Sequence, residues 1–475
     1  MRRMRQGGQQ RQVSFAELEW QAQGIRLEPI LRCLSDFLEH RDELLELVAG
    51  DLRRGLKQPA AGREGLSAVQ VLRSLILQRV KDWDFRELRE RVADGLTLRQ
   101  FTGFYAGRVP RHQAFHRAFN RLTPETLSAL NQTVVAAAVA LGLEDGAQLR
   151  MDTTVVQTNI QFPTDATLLW DCVRVLTRLA GRLVEQLPGL PERLHNRTRG
   201  ARRRMQELQR MTPVQRRREQ RPKYRALITV TAQVVANARA VTKAAAVAPV
   251  KDVLPQGDTA QLTAEIESYA ALAERVINQA RRRVLAGEQV AAGEKLYSIF
   301  EPHTDLIKRG KRNTPVEFGH KVFLAESRAG LITDYQVLDG NPPDDPLLIP
   351  ALERHCQLFG RLPRRSAADR GFYSVANVAW ADTAAAELVS IPQRGGHKTP
   401  ARAAFEKSRA FKRAQKFRAG IEGRISVLAR GRGMKRCRLH GRQRFELLVG
   451  GAVLANNLLI IAARLQAKRR RRLAA

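Results

Sequence analysis

Three acidic residues, far apart in the chain, stand where phosphoryl-transfer chemistry would need them. Asp152 lies in a segment of alternating apolar and polar residues, Asp369 directly follows a short apolar segment, and Glu422 falls in an amphipathic helical stretch. They are separated by 216 and 52 intervening residues. Cleaving a phosphodiester requires an activated attacking oxygen on one side of phosphorus and a stabilised leaving oxygen on the other. Two divalent ions roughly 4 Å apart do both, and hard carboxylate oxygens suit Mg²⁺, or Mn²⁺ in its place. The expected site is therefore one in which Asp152, Asp369 and Glu422 hold two Mg²⁺ (or Mn²⁺) ions. Residue type alone carries little weight, because the chain has 47 Asp+Glu and most acids are solvated surface charges. Their places on the predicted elements single these three out.

The period-2 segment from Gln148 to Val156 predicts a strand. After Pro163, Thr164 and Asp165 are good helix caps, and the chain then reads as helical and strongly basic to about Val290. Within that stretch Leu262, Ile266, Tyr269, Ala273, Val276 and Ala280 recur in steps of four and three, a helix-packing seam. Phe318–Glu326 and Leu331–Leu338 flank a turn containing Arg328 and Gly330, as in a hairpin. Asp345–Phe359 predicts a helix, Arg364–Ala368 a short strand ending at Asp369, and Ser374–Ala385 a helix. Glu387–Ile391 predicts a strand and Lys412–Leu428 a helix. The order is strand, helical insertion, strand, strand, helix, strand, helix, strand, helix. Without the insertion, this is the order of an RNase H-like α/β core with a mixed sheet. In such a core the strands of Asp152 and Asp369 lie side by side, and the last helix packs across them.

Ahead of this core the chain reads as mostly helical, including one helical stretch over Leu66–Arg91. Val109-Pro-Arg-His112 then leads into the amphipathic segment Gln113–Leu122, which carries Arg117 and Arg121. Helix, turn and basic helix is compatible with a helix-turn-helix DNA reader. The expected division is an N-terminal helical, DNA-binding domain over 14–143, the first core strand within 146–164, a basic helical insertion over 165–290, the remaining core over 295–463 and a basic tail over 464–475.

Charge points to the partner. The chain has 81 Lys+Arg, a net charge of +34 and a pI near 11.2. Such an imbalance costs self-repulsion and fits a polyanion, above all nucleic acid. Arg197–Arg225 alone holds twelve Lys and Arg, among them Arg202, Arg203, Arg204, Arg216, Arg217 and Arg218, against Glu207 and Glu219. Cys33, Cys172, Cys356 and Cys437 form no Cys-x-x-Cys pair, which excludes the usual zinc spacing and fits a reducing cytoplasm. His112 and His116 lack a third ligand and read as helix packing. No apolar stretch follows the basic N-terminus, so no signal peptide is expected. Leu447–Ala463 contains Asn456 and Asn457 and reads as a buried strand and helix rather than a membrane span, so no membrane partner is expected.

At the three acids the sequence resembles a known family. Met151-Asp-Thr-Thr-Val-Val156 is similar to the first-Asp strand of bacterial insertion-sequence DDE transposases, and Ala368-Asp-Arg-Gly-Phe-Tyr373 to their second-Asp motif. Arg418-Ala-Gly-Ile-Glu422 is similar to their Arg-x3-Glu element. Pro163–Asp171 and Pro315–Lys321 resemble the group labelled ISNCY, and Leu66–Leu122 the helical domain ahead of such cores. The resemblance spans about residues 40–465. It implies an enzyme that binds the terminal inverted repeats of its element on double-stranded DNA, hydrolyses a strand at each end, and joins the freed 3′-hydroxyl to target DNA as a homodimeric synaptic complex. It also implies metal ligation by Asp152, Asp369 and Glu422 and phosphate contacts by Arg418, with Lys321 and Arg370 as further candidates. The sequence departs from many relatives at Gln415, where they place a Tyr, and at Ala429, where they place a Lys. Trp170 could stack on an unpaired base, though packing is the commoner role of such a residue. The competing readings are an RNase H-like nuclease or resolvase without strand transfer and a catalytically decayed basic DNA-binding protein. An RNA-binding protein ranks last, at 6% aromatic residues.

Overall fold

The computed structural model describes residues 2–3, 22–57, 63–187, 195–247, 256–308, 316–384 and 386–474. It divides into two compact units, one formed by Met1–Gln157 with His320–Ala475 and the other by Thr158–Gly319.

The first unit opens with α1 (Pro29–Glu39), α2 (Asp42–Arg53), α3 (Ala68–Lys81), α4 (Phe85–Asp94), α5 (Leu96–Thr102), α6 (His112–Phe119) and α7 (Pro124–Ala140). The stretch Leu66–Arg91, read as helical from its apolar spacing, holds two helices. Asp82 takes a left-handed backbone (φ 54°), and Asp84 caps α4 by accepting from the amides of Arg86 and Glu87. A local polar cap thus overrides a continuous apolar period. Strand β1 (Gln148–Thr158) follows α7 as expected.

In the second unit, α8 (Asp165–Gln186) starts at Thr164, whose side chain forms a reciprocal capping box with Thr167. Helices α9 (Thr198–Arg210), α10 (Pro213–Val247) and α11 (Gln256–Ala280) complete the bundle. The seam residues Ile266, Ala273, Val276 and Ala280 are fully buried in its core, and Trp170 packs against that core. Strand β2 (Asp305–Lys308) pairs antiparallel with residues 316–319 of β3 (Val316–Ser327).

The rest of the first unit is a mixed sheet and its helices. Beyond β3 come β4 (Ile332–Val337), α12 (Leu348–Phe359), β5 (Arg365–Ala367), α13 (Val375–Thr383), β6 (Leu388–Ser390), α14 (Pro400–Lys407), α15 (Arg409–Ala419), α16 (Ile421–Gly431), β7 (Arg436–Cys437) and α17 (Arg442–Ala474). Strand β4 pairs antiparallel with β3, β3 neighbours β1, β1 pairs parallel with β5, and β5 pairs parallel with β6. Strand β7 adds a short pairing to β1.

Two expectations need correction here. The helix expected over Lys412–Leu428 is broken at Gly420 into α15 and α16, and the absence of a Cβ there leaves room for the Arg150 guanidinium, which donates to the Phe417 carbonyl. Leu447–Ala463 is not a strand and a helix but the middle of one helix, α17. A continuous apolar run has no period to separate the two states, and a helix that is apolar on all sides is a buried one. By length and composition its apolar stretch could cross a membrane, but 83% of it is buried inside the protein. Asn457 and Asn131 are both buried, and each donates to the carbonyl of Ile332; Asn457 also accepts from the Ile332 amide. Leu454, Leu458 and Ile461 of α17 share a core with α1–α7, so the N-terminal helices and the C-terminal helix fold as one body.

His355 of α12 anchors the start of β1. Its Nε2 lies 3.0 Å from the Gly146 carbonyl, and its ring stacks on Phe359 at 4.3 Å. Nδ1 is buried with no hydrogen-bond partner among the described residues, so a second proton there would have no acceptor. Burial accordingly pushes the imidazole down from 6.5 to about 4. Between those values the unfolded chain binds the proton and the folded one does not. Stability is therefore full above about pH 6.5 and falls as the pH drops towards 4, by up to roughly 3 kcal/mol. In urea titrations at pH 7 and 4.5, His355→Gln is expected to lose clearly less stability on acidification than wild type; equal losses would remove His355 from the account.

Candidate active site

Strand register brings the first two acids together. Arg150 of β1 is paired with Ala367 of β5, so Asp152, within β1, and Asp369, just past the end of β5, lie at neighbouring positions two residues further on. Asp369 caps the turn that follows, its Oδ1 accepting from the Gly371 amide at 2.7 Å. Helix α15 is fixed to the ends of β5 and β6 by Gln415, whose Nε2 donates to the carbonyls of Ala368 (3.2 Å) and Ser390 (2.9 Å) and to Ser390 Oγ (2.9 Å). The residue that departs from the family pattern thus docks the helix by reading backbone.

The three acids meet on one guanidinium. Arg418 Nη2 donates to Asp152 Oδ2 at 2.7 Å and lies 3.7 Å from Asp369 Oδ2, while Nη1 lies 3.7 Å from Glu422 Oε1. Arg418 and Glu422 keep the i,i+4 relation across the Gly420 break. Their environments differ: the Asp152 carboxylate is 12% exposed, Asp369 34% and Glu422 71%. Burial pushes the Asp152 carboxyl up to about 6; Asp369 and Asp344 add to this, and Arg418 and the Thr153 amide oppose it.

Asp152, Asp369 and Glu422 offer only carboxylate oxygens, the donors that Mg²⁺ and Mn²⁺ take, and they already converge on a cationic group. In kind, the residues fit. As the side chains stand, no group of three His, Cys, Asp or Glu among the described residues is arranged to hold a metal, and Arg418 supplies the positive charge between the acids.

Other expected contacts are placed differently. Lys321 is not free for a phosphate: its ammonium lies 2.7 Å from Asp344 Oδ1 and donates to the Pro342 carbonyl. Arg370 and Arg117 are exposed, whereas Arg121 is engaged with the Arg54 carbonyl. In the second unit Arg202, Arg203, Arg216, Arg217 and Arg218 are exposed, and Arg204 is half-buried with its guanidinium on the Gly200 carbonyl. His116 packs edge-on against Phe85, in keeping with a packing role.

Sequence reasoning missed the buried group that supports this arrangement. Glu326 of β3 is fully buried and bound by two arginines, Arg150 Nε at 2.7 Å and Arg424 Nε at 2.9 Å. Arg150 Nη1 donates to the Phe417 carbonyl, one residue before Arg418, and Arg424 lies two residues after Glu422 and reaches Asn456 of α17. The only sequence signal was an acid at a core-facing position of a predicted strand.

Residues 25–121 match the family described as Transposase domain (DUF772). The match supports a transposase family. No curated protein and no solved structure matches the chain. The transposase-domain segment spans α1–α6 and ends before Asp152, so it bears on the helices that share a core with α17 and not on the acids themselves.

Removing one partner of a buried ion pair leaves the others uncompensated and costs roughly 3–5 kcal/mol. Glu326→Ala is expected to fall in that range in urea unfolding. A loss below about 1 kcal/mol, the worth of an exposed pair, would show that Glu326 does not hold α15 and α16 in place.

Proposed function

We propose that this chain is a DNA transposase of the three-carboxylate type, with an RNase H-like catalytic core, that cuts its element's ends and joins them to target DNA. One observation carries the reading: three acids separated by 216 and 52 residues converge on the same guanidinium. The strand order β4-β3-β1-β5-β6, with β4 antiparallel to β3 and β5 and β6 parallel in turn to β1, supports an RNase H-like core. The transposase-domain match and the net charge of +34 support a DNA substrate.

Asp152, Asp369 and Glu422 would hold two Mg²⁺ or Mn²⁺ ions, which when bound supply Lewis-acid polarisation of the phosphate and a water of lowered pKa. The chain's own residues do the rest. Asp152, least solvated of the three, gives the site a fixed point on a central strand. Arg418 balances the carboxylates in the free protein, and its fork geometry suits a non-bridging phosphate oxygen once DNA enters. Exposed arginines of α9 and α10 give the second unit a sequence-independent grip on the backbone. Two copies holding two element ends form the synaptic complex, in the cytoplasm.

With a labelled duplex ending in the element's inverted repeat, wild type is expected to nick and join in Mg²⁺. Asp152→Asn, Asp369→Asn and Glu422→Gln should each lower cleavage by roughly a hundredfold or more while end binding stays near wild type. Nicking without joining would turn the reading to a nuclease, and wild-type cleavage by any of the three variants would remove that residue from the site.

A second measurement concerns the grip. Changing Arg202, Arg203, Arg216, Arg217 and Arg218 together to Gln should flatten the slope of log affinity against log salt by roughly 0.9 for each phosphate no longer neutralised. An unchanged slope would place the DNA-binding charge elsewhere.

A further inference from the structure

We propose that Asp344 is a fourth carboxylate of the divalent-ion site, ion-paired with Lys321; the inference rests on the function proposed above and deepens it. Asp344 immediately precedes the turn Asp345–Leu347 that leads into α12, on a stretch to which neither the motifs nor the transposase-domain match assigns a role. Its position is nonetheless within the site. Asp344 Oδ2 and Asp369 Oδ1 lie 2.8 and 2.9 Å from the point that a Cβ on Gly371 would occupy. The two oxygens are therefore less than about 6 Å apart, within the range over which like charges act strongly on each other. Gly371 leaves out the side chain that would have separated them.

Lys321 explains how three aspartates share this corner. Its ammonium lies 2.7 Å from Asp344 Oδ1 and donates to Pro342 O at 2.8 Å, while Arg418 covers the other two. The Lys321 and Asp344 side chains are only 12% and 17% exposed, so the pair is better shielded from salt than a surface contact. Lys321 pairs with Oδ1 by charge, without a directed hydrogen bond, and Oδ2 is the oxygen beside Gly371, across from Asp369. A pair serving only to staple the loop would not need that second oxygen directed at another carboxylate.

The two partners give opposite signs in one experiment on the full chain: calorimetric titration with Mn²⁺ in the absence of DNA, with thermal melting as the check of folding. If Asp344 is a ligand, Asp344→Asn weakens Mn²⁺ binding by about tenfold, one pK unit of charge interaction. Lys321→Gln strengthens it, because the ion takes over the task of neutralising Asp344. Asp152→Asn measures the site itself, and Asp339→Asn, at a carboxylate 94% exposed, is the control for total charge. Mn²⁺ binding equal in wild type and Asp152→Asn would overturn the metal site as a whole. Loss in Asp152→Asn with no change in either Asp344→Asn or Lys321→Gln would overturn only the role of Asp344. Should Asp344→Asn melt early, Lys321→Gln still decides, since a loop staple gives equal or weaker binding there and a ligand gives tighter binding.

Discussion

The arrangement of the site depends on a charge that water does not reach. Glu326 sits fully buried near the end of β3, and a lone carboxylate there would be prohibitively costly. Arg150 and Arg424 make it tolerable, and each arginine spends its remaining donors on a different element: Arg150 on the Phe417 carbonyl and Arg424 on Asn456. Five elements, β1, β3, α15, α16 and α17, are therefore bound through one carboxylate. Arg418 and Glu422 lie between the two points where this cluster grips the helices. Hydrophobic packing could set the distance of α15 and α16 from the sheet, but packing is non-directional. Charged hydrogen bonds of fixed geometry set their rotation, and rotation decides whether Arg418 faces Asp152.

The same cluster changes how the net charge should be understood. A value of +34 suggests a surface covered with cations ready for phosphate. Many of the arginines are occupied inside the fold. Arg73 donates to Ser35 and the Phe101 carbonyl, Arg99 to the carbonyls of Ala93, Tyr105 and Gly107, and Arg432 to the Val80 carbonyl. Arg79 is buried deeply enough for desolvation to lower its proton affinity. Arginine suits this work because its planar fork satisfies several carbonyls at helix ends and turns at once. The charge available to a polyanion is thus smaller than composition implies, and it is displayed on particular faces such as α9 and α10.

Strands with alternating residues and helices with polar caps were legible in the sequence. The period of β1, the Thr164 cap and the buried seam of α11 all follow from local rules. The pairing of β1 with β5 was legible too, since the order of elements left few arrangements for the two aspartates. What could not be read were contacts between segments distant in the chain. Position 420 has to be glycine because Arg150, some 270 residues earlier, fills the place of its Cβ. Nothing within a helical turn of Gly420 records that. Lys321 looked like a phosphate contact because of its motif, yet the acid that takes it, Asp344, lies in a loop with no periodic signal. The α17 helix was misjudged for a different reason: burial on every side erases the pattern from which helix and strand are told apart.

The choice of arginine at position 418 follows from the spacing of the acids. Nη2 serves Asp152 and Asp369 while Nη1 serves Glu422, so a single group spans three carboxylates that do not touch one another. An ammonium, as a compact point charge, would have to sit close to one acid and leave the others repelling. The fork also makes the contact unequal: one short bond to the buried Asp152, and two looser ones to the more exposed acids. Since Glu422 is the most solvated of the three, its separation from Arg418 costs least, and Asp152 would be the last to let go. On the proposed function, a divalent ion or a phosphate would therefore enter from the Glu422 side, where the existing charge pair is weakest, and meet the buried strand acid last.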